Sequence, residues 1–161
     1  TGKDSNALPI GLINIYNGGI RNITAWIDGN NRIYQGIETG SKNFYTLLYT
    51  GNTRENLTEM ENRVFGAGLG FKYNINPLDF DIVLGSKHEY FYREKSNTIP
   101  EIRASLSIDV GTLSLTAGIL GDFSIEGYND DSVLLNGSNY YDLNSNIDIY
   151  YTWFAGVKLH L

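Results

Sequence analysis

Two side chains in the middle of the sequence have the types and the spacing for nucleophilic catalysis. Ser86 and His88 are two residues apart, so on a β-strand they share one face, and Glu89 and Glu94 are near enough in sequence to orient the imidazole. A serine activated by a histidine and an acid can hydrolyse esters, including those of lipids. Spacing does not supply the geometry of a triad, and a strand serine beside an interfacial histidine is the commoner arrangement. We therefore expect no catalytic residue and no enzyme activity.

The other side chains with binding chemistry are scattered. The chain has two His and no Cys, too few for a metal site of imidazoles and thiolates. Asp130 and Asp131 stand in an acidic segment, but the full spacing of a calcium loop is missing. The glycines of 66–70 are not followed by the Lys-Ser/Thr pair of a phosphate-binding loop. The sequence therefore predicts neither a metal site nor a cofactor.

Length and composition limit the elements that position these residues. The 161 residues suit a single domain, here 1–161, with 1–7 as an N-terminal tail. A net charge of -6 argues against nucleic acid as a partner. The 18 Gly, 12 Tyr and 7 Phe favour strands over helices. No apolar run reaches the roughly 20 residues of a spanning helix, and the first residues lack the apolar core of a signal peptide. The fold class predicted is all-β.

Five segments, beginning near residues 63, 78, 101, 113 and 147, alternate between apolar and polar or small residues. A period of two defines a strand with two different faces. Two kinds of barrel fit such strands: a soluble one with an apolar interior, and a transmembrane one with an apolar exterior. The alternation alone does not choose between them.

Three further features favour the transmembrane barrel. The polar faces carry small residues and charges of both signs, which suit the narrow interior of about eight strands. The connections alternate between short and long, and aromatic residues collect near the strand ends, both typical of outer-membrane barrels. The residues predicted to face lipid are Phe65, Leu69, Phe71, Phe80, Ile82, Leu106, Leu115, Trp153 and Val157. Those predicted to close the lumen as a charge network are Lys72, Asp79, Asp81, Arg103, Asp109 and Lys158.

The last segment, Thr152 to Leu161, has a glycine followed by alternating apolar residues up to its end. It resembles the C-terminal strand of bacterial outer-membrane barrels, although the terminal residue there is usually Phe and here is Leu161. Together with the strands that begin at 65 and 78, it is similar to the small eight-stranded group typified by outer membrane proteins A and X. That resemblance implies an antiparallel up-and-down transmembrane barrel in the bacterial outer membrane. The group includes anchors, adhesins and a few lipid-modifying enzymes, so the resemblance leaves the activity open.

The first 50 residues contain four apolar-rich segments, at 8–16, 20–28, 32–39 and 43–50. With the five later strands they make nine, whereas a bacterial barrel should have an even number. One solution joins 32–50 into a single long strand, and the other makes 8–16 a segment that does not span. We predict the first, because Gly11 to Tyr16 are too apolar to leave in water.

The function predicted is a non-enzymatic outer-membrane barrel, anchored by its lipid face, whose extracellular loops meet a host or other surface ligand. The chain is expected to be a monomer with outer-membrane lipid as its constant partner. The longest loop, 126–145, is acidic and bears tyrosines, which suits a protein contact surface; its candidate partner-binding residues are Tyr128, Asp130, Asp131, Tyr140 and Tyr141. Two alternatives stay open: a lipid-modifying hydrolase that uses Ser86 and His88, and a soluble lipocalin-like barrel that binds an apolar ligand.

Overall fold

The computed structural model describes residues 19–52, 63–90, 97–125, 139–144 and 147–161. Their regular structure consists of antiparallel strands. Within these residues no helix is long and apolar enough to cross a bilayer. The strands are β1 (Ile20–Asp28), β2 (Ile33–Gly40), β3 (Phe44–Asn52), β4 (Arg63–Ile75), β5 (Leu78–Tyr90), β6 (Asn97–Val110), β7 (Leu113–Ile125), β8 (Asn139–Asn144) and β9 (Ile147–His160).

Eight of these strands form a closed barrel. Each of β1 to β6 pairs with the next strand in the chain, β7 pairs with β9, and β9 pairs back to β1, with Asn22 opposite His160 and Asp28 opposite Phe154. The short β8 pairs with the first residues of β9, beyond the point where β1 stops. Closure leaves no free edge in the ring. The predicted all-β, up-and-down barrel of eight strands is confirmed.

The predicted assignment of strands in the first 50 residues is wrong. Residues 32–50 are not one strand but the hairpin of β2 and β3, joined by a turn at 41–43. The turn changes the parity, so Ile37 lies on the outward face while Tyr45 points inward. The sequence pattern did not reveal the turn, because both the inward and the outward faces of β2 and β3 carry apolar residues. The predicted strand at 8–16 lies outside the described residues, and the ring of eight closes without it.

The two ends of the barrel differ in their connections. The turns at 41–43, 76–77 and 111–112 lie at the end where β9 finishes, which we call the lower end. The connections 29–32, 53–62, 91–96 and 126–138 join strands at the opposite, upper end. The predicted loop 126–145 is therefore interrupted, because residues 139–144 form β8 and pair with β9.

Inward tyrosines lie directly opposite inward glycines. Tyr45 is the cross-strand partner of Gly70, and Tyr49 is the partner of Gly66. A Cβ added at Gly70 or Gly66 would lie 2.2 or 2.0 Å from the ring of its partner, closer than any real contact. Absence of a side chain at these positions lets each ring lie flat against the neighbouring strand. The glycine-rich stretch of β4 therefore makes room for aromatic packing inside the barrel.

Candidate functional site

The outer wall of the barrel is apolar. Of the residues predicted to face lipid, all have outward parity; Phe65, Phe71, Leu106, Leu115, Trp153 and Val157 are exposed, and Leu69, Phe80 and Ile82 are half-buried on the same face. The large apolar side chains exposed on this wall are between 36 and 69% exposed. Scattered exposed apolar residues are normal on proteins, but large apolar side chains exposed on nearly every strand of one barrel wall favour an apolar environment.

The inward face carries the charges. Lys87 and Asp122 form an ion pair at 2.5 Å, with side chains 1% and 0% exposed. Glu101 accepts a short hydrogen bond from the hydroxyl of Tyr49 and is buried beside this pair. These residues form a layer across the upper half of the interior. Buried charges are tolerated because they are paired and hydrogen-bonded.

A second charged layer lies in the lower half of the interior. Nζ of Lys158 is 2.8 Å from Glu38 and 3.4 Å from Asp81, so one ammonium joins β9 to β2 and to β5. Nearer the lower end, Lys72 pairs with Asp79 at 3.3 Å. Four of the residues predicted to close the lumen therefore lie in these ion pairs.

Aromatic rings separate the two charged layers, and Arg103 lies among them. The centre of its guanidinium is 4.2 Å from the ring centroid of Trp26 and 4.5 Å from that of Phe154. Such a cation is held between two ring faces. Trp26 also stacks on Tyr34, with centroids 5.3 Å apart. Arg103, predicted as part of the lumen network, therefore fills the middle of the barrel.

The packed interior leaves little free space. One cavity, lined by Glu38, Tyr45, Arg103 and Lys158 among others, has a volume of about 20 Å³, which is room for about one water molecule. A second void beside Lys87 has no room for water. In the described part of the chain, the interior is filled by its own side chains and offers neither an open channel nor a pocket for an apolar ligand.

A chain of hydrogen bonds crosses the barrel closure at the lower end. Nδ1 of His160 is 2.8 Å from the amide oxygen of Asn22, and its Nε2 is 2.6 Å from Oγ of Ser114. Ser114 donates to Asp109 at 2.5 Å, and Asn22 donates to Glu38 at 3.0 Å. These hydrogen bonds join β2, β1, β9, β7 and β6. Sequence reasoning missed it because its members are far apart in the chain.

In this set of hydrogen bonds, Ser114, His160 and Asn22 stand in the order of a nucleophile, a base and an orienting amide. Ser114 is only 2% exposed, and its hydroxyl proton goes to Asp109, so a substrate has no access to it. The arrangement therefore ties strands together.

The structure places Asp109, predicted to help close the lumen, at the rim: its side chain is 62% exposed because β6 ends one residue later.

Ser86 and His88 lie two residues apart on the outward face of β5. Nδ1 of His88 is 2.9 Å from Oγ1 of Thr98 on β6. The side chain of Glu89 and the whole of Glu94, the acids considered as orienting groups, lie outside what the structure describes. The pair shares a face, as its spacing predicts.

The predicted partner-binding residues fall mostly beyond the described residues. Tyr128, Asp130 and Asp131 lie there, and of Tyr140 and Tyr141 the structure describes only the backbone, within β8. Among the described side chains, no group of three His, Asp or Glu is placed to hold a metal ion.

Comparisons with known proteins identify the fold and nothing more specific. No protein-family model matches the chain, and no curated protein matches it. A solved structure does: the N-terminal β-barrel domain of OprF from Pseudomonas aeruginosa has a TM-score of 0.51 and 10% sequence identity, and the match covers 86% of this chain and 95% of that domain. The chain therefore shares the fold of that β-barrel domain.

Proposed function

We propose that this protein is a non-enzymatic barrel of the bacterial outer membrane. Its outer wall anchors it in lipid, and its upper connections contact partners outside the cell. The segments concerned are 53–62, 91–96 and 126–138. Function in such proteins resides in the connections, because the barrel itself is a scaffold.

The observation that carries this proposal is the direction of the two faces. Residues with full charges, such as Lys87, Asp122 and Lys158, are buried inside, while Leu106, Leu115 and Trp153 are exposed outside. In water, this distribution would leave a broad apolar wall exposed. In a bilayer, the apolar band contacts lipid and closure satisfies the backbone.

The interior also argues against the alternative of a lipocalin-like binder. That function needs an apolar cavity large enough for a ligand, and the described interior has room for about one water molecule. On the outward face of β5, Nδ1 of His88 contacts the hydroxyl of Thr98. The absence of enzyme activity remains part of our proposal.

The 126–138 connection is the best candidate for a contact with a partner. It carries Glu126, Asp130 and Asp131 with no Lys or Arg, so a basic protein surface, or a glycan bridged by divalent cations, would suit it. Tyr128 would add amphipathic contact area at low entropic cost. A contact of this kind weakens as salt rises.

Limited trypsin digestion of whole cells tests both the location and the orientation. Trypsin should cleave at Arg54, Arg93 or Lys95 of the upper connections in intact cells. Lys42, exposed in the lower turn at 41–43, should be cleaved only after the outer membrane is permeabilised. A Lys42→Gln variant identifies the fragment that comes from this turn.

Cleavage at Lys42 alone in intact cells would mean that the barrel is inserted the other way. Recovery of the protein in the soluble fraction, monodisperse without detergent, would overturn the proposal.

A further inference from the structure

The hydrogen bonds that cross the closure at the lower end have fixed directions. At one end of the series, Glu38 accepts from the side-chain amide of Asn22 at 3.0 Å, and its other oxygen pairs with the ammonium of Lys158 at 2.8 Å, so Glu38 is ionised. At the opposite end, Asp109 accepts from the hydroxyl of Ser114 at 2.5 Å. A carboxylate has no proton to donate. Both ends of the series therefore act only as acceptors.

These fixed ends determine what faces each ring nitrogen of His160. Because the amide nitrogen of Asn22 donates to Glu38, the atom that Asn22 presents to Nδ1 of His160, 2.8 Å away, is its oxygen. Because Ser114 gives its only proton to Asp109, it presents a lone pair to Nε2, 2.6 Å away. Both ring nitrogens therefore face acceptors.

A neutral imidazole does not fit between two acceptors. It carries one N–H and one unprotonated nitrogen, so it can donate to Asn22 or to Ser114 but not to both. Turning the hydroxyl proton of Ser114 towards Nε2 does not help, because Asp109 then loses its hydrogen bond. The series therefore needs one proton more than it has when His160 is neutral and both carboxyls are ionised.

The two groups that could hold this additional proton are His160 and Asp109. The side chain of Asp109 is 62% exposed, and an exposed carboxyl holds a proton only below about pH 4, whereas an imidazole holds one up to about pH 6.5. The imidazole is the weaker acid, so the proton belongs on His160. Nε2 is also 3.4 Å from Oδ1 of Asp109, where a positive ring is attracted by the carboxylate.

The charges of the lower interior agree with this position of the proton. The described charged side chains there are three cations, Arg21, Lys72 and Lys158, and four carboxylates, Glu38, Asp79, Asp81 and Asp109. Arg21 lies over the ring of Tyr45, 5.4 Å from its centroid, and donates to the carbonyl of Ser41. A proton on His160 makes the numbers of positive and negative charges equal.

We infer that His160 binds a proton as part of the folded barrel, and that the resulting imidazolium holds β9 to β1 and to β7 at the lower end. Loss of this proton removes one hydrogen bond from the closure, so the closure is weaker at higher pH. The side chain is 33% exposed, and water can therefore deliver and remove the proton. This pH-sensitive contact lies within the barrel and does not depend on the proposed role of the upper connections.

Nitrogen NMR of the histidine rings tests the protonation directly, because the chain contains two His. The full-length protein is labelled with [15N]histidine, folded in detergent micelles and observed at pH 7. A His88→Gln variant identifies the signals of His160. His88 is the internal control, because it lies on the outward face of β5 with its Nδ1 against the hydroxyl of Thr98.

We expect both ring nitrogens of His160 to carry protons at pH 7, at which an unperturbed imidazole is about three-quarters neutral. Asp109→Asn should lower the ratio of charged to neutral His160 about tenfold, because the carboxylate that takes the proton of Ser114 is replaced by an amide that can donate. Asp109→Glu keeps a carboxylate and should retain the charged ring. The signals of His88 should be unchanged in both variants.

The pH dependence of stability tests the role of the proton in closure. A native state that binds a proton more tightly than the unfolded chain loses stability as the pH rises. In urea unfolding, the fall in the folding equilibrium constant between pH 6 and pH 9 should be about tenfold larger in the unmodified protein than in His160→Gln. The matched control His88→Gln should behave like the unmodified protein.

Three results would overturn the proposal. A proton on one ring nitrogen only of His160 at pH 7 would show that the series holds no additional proton. An unchanged ratio of charged to neutral ring in Asp109→Asn would show that the carboxylate does not determine the protonation. Equal pH dependence of stability in the unmodified protein and in His160→Gln would show that the proton does not hold the closure.

Discussion

Placing Arg at two heights on the outer wall is the sharpest test of the membrane assignment. Leu106 is 48% exposed and lies four residues before Val110, the last residue of β6. With a rise of about 3.3 Å per residue and a tilt of about 40°, it lies about 10 Å above the lower end of the strand. In an apolar band about 25 Å tall that begins at this end, Leu106 lies close to the middle. Leu113, the first residue of β7 and 40% exposed, lies at the lower edge of the band.

The two sites should therefore respond differently to the same substitution. Leu106→Arg should lower the free energy of unfolding by about 2 to 4 kcal/mol, as for a cation at the midplane, and Leu113→Arg by about 0 to 1 kcal/mol, as for one near the interface. Reversible urea unfolding in phospholipid vesicles, followed by tryptophan fluorescence, measures both values against the unmodified protein.

Equal costs at the two heights would refute the depth argument. A cost near zero at Leu106 would refute the lipid contact itself, since an exposed Leu in water tolerates Arg with little change in stability.

Four further outcomes are expected. Lys87→Met should cost about 3 to 5 kcal/mol in the same unfolding assay because it leaves Asp122 as an unpaired buried charge, whereas adding Asp122→Leu should recover most of that loss; an equal loss in the double variant would contradict the ion-pair argument. Planar bilayer recordings should show no regular single-channel steps, because the described interior is packed; stable steps would contradict this. Ser86→Ala and His88→Ala should leave the protein folded and its biological role unchanged, and loss of a lipid-hydrolysing activity in either folded variant would favour the enzyme alternative. Replacement of 127–137 by a Gly-Ser linker should keep the heat-dependent gel shift of the folded barrel but reduce binding of cells to basic surfaces; unchanged binding would remove this segment from the functional account.

Much of the barrel wall could be predicted from the sequence, because each position on a strand faces either the interior or the exterior. The strands β4 to β7 and β9 follow this alternation closely, and the residues predicted to face lipid have outward parity on these strands. The hairpin of β2 and β3 does not follow the alternation of apolar and polar residues. Its inward residues Tyr45, Leu47 and Tyr49 are apolar, so the hydrophobic pattern there does not distinguish the two faces.

The arrangement inside the barrel could not be predicted in this way. Arg103 lies between Trp26 and Phe154, three residues separated by most of the chain. His160, Asn22 and Ser114 likewise meet only when β9 closes against β1 and β7. Alternation assigns each of these residues to the interior. The partners of each residue, however, depend on the strand register, which a local sequence pattern does not determine.

The facing tyrosines and glycines bear on how this sequence can change over time. Tyr45 faces Gly70 and Tyr49 faces Gly66, each at one position of the strand register, and each pair fills one fixed volume. A larger residue in place of the glycine is compatible with the barrel only if the ring opposite shrinks, so neither position can drift alone. Homologous barrels should vary at these positions in concert, with one large and one very small residue preserved and the two free to exchange strands.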